Sequence, residues 1–295
     1  MTCMVLCYHR VMPDGTGGVI GNCHRARGTV VSLPTFQRHL ADIGRHFRPV
    51  TLRDYVATLE GRSTLPPNTC LITFDDGYRD FAEHALPALE RHSMPCVLFA
   101  TVEQACGDQP LAPPDAWYAI LVAATPPIGD LASWVHGPRT KEHHYAPPSQ
   151  QPKLRAQLAR ALDVRAAETG LGRCLYLNEM ELRGLEGRGV ALGGHGATHL
   201  AFTTLPDSDL AANLQACRAW LDRIAPASPA TVAYPYGKAD DRVARAAADA
   251  AFRAGFTVLP CDGKADAGPF FLKRSCVPDR PTAIEELKAG GRLSI

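Results

Sequence analysis

The stretch LITFDDGYRDF, residues 71–81, decides how the rest of the chain is read. An apolar, β-branched run ends in two adjacent carboxylates and a glycine, and a helical pattern follows. That is the signature of a buried strand handing over to a helix. Asp75 and Asp76 at its mouth are costly, because like charges repel and burial makes each carboxylate dearer still. A nearby cation would resolve the conflict, so the question passes to what else the chain brings to this strand end.

Working outward, TCLITF is one of several short apolar runs separated by helical periodicity. Strands are expected at 3–11, 94–101, 190–194, 230–234, in GFTVLP (255–260) and in FFLKRSC (270–276). Helices are expected near 34–46, 51–61, 78–92, 207–224 and 239–253, with a Gly-rich loop at 13–29. Asn178 with Glu181 three residues later reads as a capping box opening a helix to about 188. Strands alternating with helices of this length imply parallel βα units, hence a barrel or an open doubly wound sheet. From about 102 to 177 the character changes to proline-rich turns (PLAPP, TPP, YAPP), the apolar segment AWYAILVAA and a polar, basic middle. This reads as an insertion folded over one end of a single domain spanning 1–295. Within it His143 and His144 are expected in solvent. Trp117 and Tyr118 read either as a wall for a sugar ring or as the insertion's own core.

The 295 residues carry 31 basic and 30 acidic side chains, so no global field draws the chain to nucleic acid or to an anionic membrane. The ten cysteines form no C-x-x-C pair, and several fall inside apolar runs, which argues against a zinc ribbon or a disulfide framework. The opening MTCMVLCYHRV lacks a basic leader, and no stretch is long enough to span a bilayer. The expected location is cytoplasmic.

In a parallel α/β fold, the loops leaving the C-terminal ends of strands build the site. The strand VALGG ends in HGATHL, which places His195 and His199 four apart; a helical turn after Gly196 would aim both at one ion. One carboxylate with two imidazoles is a common ligand set that leaves open positions on a metal. AYPYGK, 233–238, ends a third strand in a rigid turn able to present a backbone N–H.

TFDDG (73–77), HGATH (195–199) and AYPYG (233–237), in this order, resemble the first three motifs of the polysaccharide deacetylase family, the NodB-homology or carbohydrate esterase 4 group. The resemblance extends to LCYHRV, SLPTFQRHL and the late LKR segment. It implies a deformed (β/α)7-type barrel with mainly parallel strands, and metal-dependent hydrolysis of N-acyl groups on amino sugars. Carried over, Asp76, His195 and His199 hold a divalent cation, Zn²⁺ first, with Co²⁺, Ni²⁺ or Fe²⁺ as alternatives. Asp75 is then the general base, and the Tyr236 backbone N–H is an oxyanion donor.

Two positions depart from the family pattern. Ala233 stands where an arginine usually orients the catalytic aspartate; Arg274, or else Lys238, is the candidate replacement. No histidine follows His199, so the general acid falls to His9 in LCYHRV. This resembles a branch of the family in which the last motif has moved to the N-terminus. In a closed barrel the first and last strands are neighbours, and the move keeps the side chain in place.

The expected substrate is an N-acylated amino sugar in a polymer or in a lipid-linked or nucleotide-linked precursor. Hydrolysis of another C–N bond, in a cyclic imide or an allantoin-like compound, is the alternative activity. A non-catalytic sugar-binding domain is the alternative from a different class.

Overall fold

Seven strands close on themselves: β1 (Met4–Tyr8), β2 (Thr69–Phe74), β3 (Cys96–Ala100), β4 (Val190–Gly194), β5 (Thr231–Ala233), β6 (Ala254–Val258) and β7 (Leu272–Cys276). The computed structural model describes residues 3–16, 18–124, 128–164, 171–258 and 268–290. Every barrel pairing is parallel, and the ring closes because β1 pairs with β2 on one side and with β7 on the other. Its register sets Cys7 opposite both Thr73 and Cys276. The two-residue strand Arg48–Pro49 pairs with β2 outside the ring. The fold is thus the (β/α)7-type barrel that the resemblance implies, with helices around it.

Alternation along the strands separates two cores. On β2, Ile72 and Phe74 face outward into the large cluster shared with the surrounding helices, whereas Leu71 faces inward. Val5, Val97, Phe99, Ala233 and Phe256 fill the interior with it. The helix Leu52–Leu59 contributes Leu52, Tyr55 and Val56 to that same interior cluster. The side chains of β2 are buried throughout, which explains why TCLITF reads as a continuous apolar run.

Several local expectations change. The apolar run 3–11 is two strands, because the chain leaves the barrel at His9 and Arg10–Met12 pairs in parallel with Val30–Ser32. The loop expected at 13–29 contains a helix, Gly18–Arg27. The helix expected at 78–92 opens with a π-helical turn, Phe81–Ala85, before Leu86–Arg91; Pro87, which has no N–H to give the preceding turn, lies just past this junction. The capping box forms, with Asn178 and Glu181 satisfying one another's backbone donors, and opens a helix over Glu179–Arg183. Of the strand expected over 255–260, the last two residues lie outside the described residues, as does Cys261.

Residues 102–177 contribute the helices Pro113–Val122, Leu131–Val135, Pro138–Tyr145 and Gln151–Ala161. Their core, built on Trp117, Tyr118, Leu121, Val135 and Leu158, also takes in Ile20 and Cys23 from the helix Gly18–Arg27. Contrary to the sequence reading, His143 and His144 are buried. His143 stacks on Trp117 at 4.6 Å between ring centroids, so the apolar faces of these rings serve as packing surface. Among the described residues, no helix is long and apolar enough to cross a membrane.

Candidate active site

Asp75 and Asp76 leave β2 in opposite directions. The Asp75 N–H extends the ladder to the Tyr8 carbonyl at 3.0 Å, and the chain then enters left-handed backbone at Asp76 (φ 75°) and Gly77 (φ 73°). The turn sends one carboxylate into the barrel and the other across its mouth. Asp75 meets Arg274 of β7, whose Nη1 and Nη2 donate to Oδ1 and Oδ2, both at 2.6 Å. The same guanidinium donates to Thr73 Oγ1 (3.1 Å) and the Thr257 carbonyl (3.3 Å), and lies 5.4 Å from the Phe99 ring centroid. Burial works to raise the Asp75 carboxyl, but Arg274 and His195 prevail and hold it below the usual carboxylate range. A bidentate pair of this kind keeps a fully buried carboxylate ionised.

The arginine thus arrives from β7, while Ala233 on β5 presents only a methyl group to the barrel interior. The Ala233 carbonyl serves the neighbouring histidine instead, accepting the His195 Nδ1–H at 2.8 Å. That bond fixes the tautomer, so in neutral His195 the Nε2 lone pair faces Asp76 Oδ1 at 3.3 Å. His199 Nε2 lies 2.9 Å from the same oxygen. A lone pair against a carboxylate is repulsive unless a proton or a cation lies between them. The donor set of Asp76, His195 and His199, with ligand atoms within 4.8 Å of one another, therefore fits a metal ion. Burial opposes ionisation of Asp76, yet its contacts to His195 and His199 hold it well below the ordinary value.

The helical turn expected after Gly196 does not form. Residues 195–200 follow an irregular path, with Gly196 at φ 80° and His199 at φ 51°. Asn213, from the helix Asp207–Ile224, stabilises that path by accepting from the Ala197 N–H (2.7 Å) and donating to Thr198 Oγ1 (2.8 Å). Asp76, His199 and Tyr236 (φ 59°) are three of the eight non-glycine residues with positive φ among the described residues. Such strain gathers where side chains must be aimed rather than merely packed. After Tyr236 the chain needs Gly237: a Cβ there would fall 2.5 Å from Val258 Cβ, at φ 67°.

His9, at the break after β1, lines the same pocket. Its ring, the Cys7 thiol and the Asp75 carboxylate offer atoms within 4.8 Å of one another. Burial lowers the His9 imidazole below its ordinary value, against the pull of Asp76 and Asp75. The Tyr236 ring packs on His199 (5.2 Å), His144 (5.5 Å) and Tyr145 (5.3 Å). Its hydroxyl is buried without a hydrogen-bond partner among the described residues. Of the two candidates for the missing arginine, it is Arg274 rather than Lys238 that occupies both oxygens of Asp75.

Sequence reasoning missed a second layer. Asp115, fully buried in the insertion, accepts from His24 Nε2 (2.7 Å), Tyr78 Oη (2.9 Å) and Tyr176 Oη. Burial works to raise Asp115, and His24 outweighs it, so the carboxyl lies below its usual range. The only signal in sequence was an acidic residue in a helix's first turn, which reads as a dipole effect. Together the barrel loops, the helix Gly18–Arg27 and the insertion enclose a pocket of about 290 Å³. A larger cavity of about 520 Å³ lies beside Arg10 and Arg79, and it contains neither of the ligand clusters.

Paired aspartates and two histidines thus meet at the C-terminal mouth of a parallel seven-stranded barrel, and three of the four form a donor set that fits a metal ion. The chain belongs to the polysaccharide deacetylase family, whose pattern it matches over residues 62–121 and 160–255, more than half its length. Among solved structures it is similar to the Streptococcus pyogenes deacetylase PplD in complex with acetate. That match has a TM-score of 0.64 and 14% identity, covering 97% of this chain and 96% of the other. It is also similar to a de-N-acetylase from Aggregatibacter actinomycetemcomitans, with a TM-score of 0.62, 15% identity and 94% and 95% coverage. IcaB from Ammonifex degensii gives 0.60, 18%, 97% and 95%. No curated protein sequence matches the chain.

Proposed function

We propose that the protein is a metal-dependent hydrolase that removes an N-acyl group, N-acetyl first, from an amino sugar. The observation that carries this reading is the division of labour between neighbouring carboxylates. Asp75 is held ionised by Arg274, while Asp76 faces two imidazoles. Asp76, His195 and His199 would hold the cation, with Zn²⁺ the first choice for a nitrogen and oxygen donor set. Bound there, it supplies Lewis acidity that polarises the acyl carbonyl and acidifies water.

The chain's own residues do the rest. Asp75 takes the proton from the attacking water; its orientation is fixed by two parallel hydrogen bonds, so no reorganisation is needed at that moment. His9, whose ring lies with the Asp75 carboxylate in one cluster within 4.8 Å, takes up a proton in the pocket and passes it to the departing nitrogen. A resting imidazole kept neutral by burial suits a relay that first accepts and then donates. The Tyr236 N–H, set by the left-handed turn before Gly237, donates to the oxyanion. Arg274 acts through Asp75 and is a positioning residue.

The test combines metal analysis with acetate and amine release on a panel of N-acetylglucosamine compounds, before and after chelation. About one divalent ion per chain, with turnover lost on chelation and restored by Zn²⁺, is the supporting result. Turnover of small cyclic imides with none of N-acyl sugars would replace this activity by the alternative one. Absence of bound metal and of any turnover would overturn the reading.

A further inference from the structure

The pocket wall carries one guanidinium that the hydrolytic chemistry does not use. Arg27, at the end of the helix Gly18–Arg27, is half-buried and lines the pocket. Its Nη1 donates to His136 Nδ1 at 3.0 Å, and His136 Nε2 in turn donates to the Ala26 carbonyl at 3.0 Å. The carbonyl can only accept, so His136 is the neutral Nε2–H tautomer and its lone pair receives the guanidinium. Arg27 is therefore held in place by an uncharged partner, and among the described residues no carboxylate pairs with it. The buried insertion carboxylate that contacts His24 of this wall, Asp115, accepts from His24 and two tyrosines instead.

The shape of the pocket narrows what the cation can meet. Pro114, Tyr118, His144 and Tyr145 from the insertion wall the mouth, and about 290 Å³ is at the small end of ligand sites. A space of that size suits one sugar ring with its substituents. A guanidinium is the group best matched to phosphate, through paired donors in a plane.

We infer that the substrate is a single, terminal amino sugar bearing a phosphoryl group, and that Arg27 is the residue that selects it. This rests on the deacylase reading for the reaction, but the anion site itself does not. Sugar 1-phosphates, nucleotide diphosphate sugars and polyprenyl diphosphate sugars share this chemistry, and all three belong in the test.

The experiment measures binding first, on Asp75→Asn protein, so that substrates are not consumed. N-acetylglucosamine 1-phosphate is compared by calorimetry with its neutral methyl glycoside, with and without the additional Arg27→Met change. The expected result is at least about tenfold tighter binding of the phosphorylated sugar. That ratio should fall toward one with Arg27→Met and be partly kept by Arg27→Lys. Because it is a ratio within one protein sample, partial misfolding does not imitate it. Turnover by wild type on the three phosphorylated classes, the neutral glycoside and a neutral oligomer then ranks the sources. Equal affinity for charged and neutral sugars, a preference that survives Arg27→Met, or best turnover on the long neutral oligomer overturns the inference. A phosphate preference lost with Arg27→Met, but no release of acyl group from any compound, retains the anion site and overturns the deacylase reading instead.

Discussion

The barrel and the insertion solve the problem of buried polar groups in opposite ways. In the barrel, Arg274 meets both oxygens of Asp75, Thr73 and the Thr257 carbonyl, leaving a charge pair with little freedom to move. In the insertion wall, the His144 ring stacks on Tyr236, while His144 Nε2 and the Tyr236 hydroxyl have no protein partner among the described residues. Charges that must hold one geometry are over-determined; rings that shape a surface are fixed by packing and keep polar edges for something else. On the proposed function, the barrel sets the chemistry and the insertion sets what reaches it.

The sharpest way to break that division is Asp75→Asn. Acyl release should fall by two or more orders of magnitude, about a general base's share, while bound metal stays near wild type by metal analysis. Retained turnover would move the base to the insertion side. Next comes Arg274→Met, which leaves a buried carboxylate unpaired at a cost of about 3–5 kcal/mol. Urea unfolding should show it, and Asp75→Asn in the same chain should recover part of the loss, because the stranded charge is gone.

Asp115→Asn is the insertion's counterpart. It should cost about 1.5–3 kcal/mol, expressed as faster hydrogen exchange over 113–161 with the barrel strands still protected. Uniform loss of protection would mean that the two regions unfold as one. The smallest effect is expected from His144→Ala. Removing one ring from Tyr236 is worth about 0.5–1.5 kcal/mol, which should appear mainly in KM rather than kcat.

How much of this was legible in the sequence follows the same boundary. TFDDG, HGATH and AYPYG lie at strand ends, so the meeting of the aspartates with His195 and His199 could be read from residue order and spacing, whereas the choice of Asp76 over Asp75 as the candidate ligand came only from the family resemblance. Arg274 was legible only as a cation near a strand end, because its partnership depends on closure of β7 against β1. The break at His9 was hidden by apolar residues on both sides, since Tyr8 packs outside the barrel and Val11 against it. His143 and His144 carry no periodic signal: a polar pair in a basic stretch reads as solvated, and only the packing of Trp117 and Tyr118 removes it from water. The path from Gly196 to His199 was misread because its geometry comes from Asn213, on a helix that sequence places but does not orient.

Closure of the ring also has a consequence in time. Asp75 and Arg274 are 199 residues apart, and β7 is the last strand to complete the barrel. Until it docks, β1 and β2 can pair, but the base has no cation and the collapsed chain must either hydrate it or protonate it. Contacts of such long separation form late and slowly. On refolding from denaturant, helical signal and β1–β2 protection should therefore appear before catalytic competence. On the proposed mechanism, the Asp75–Arg274 ion pair admits chemistry only in chains whose final strand has found its place.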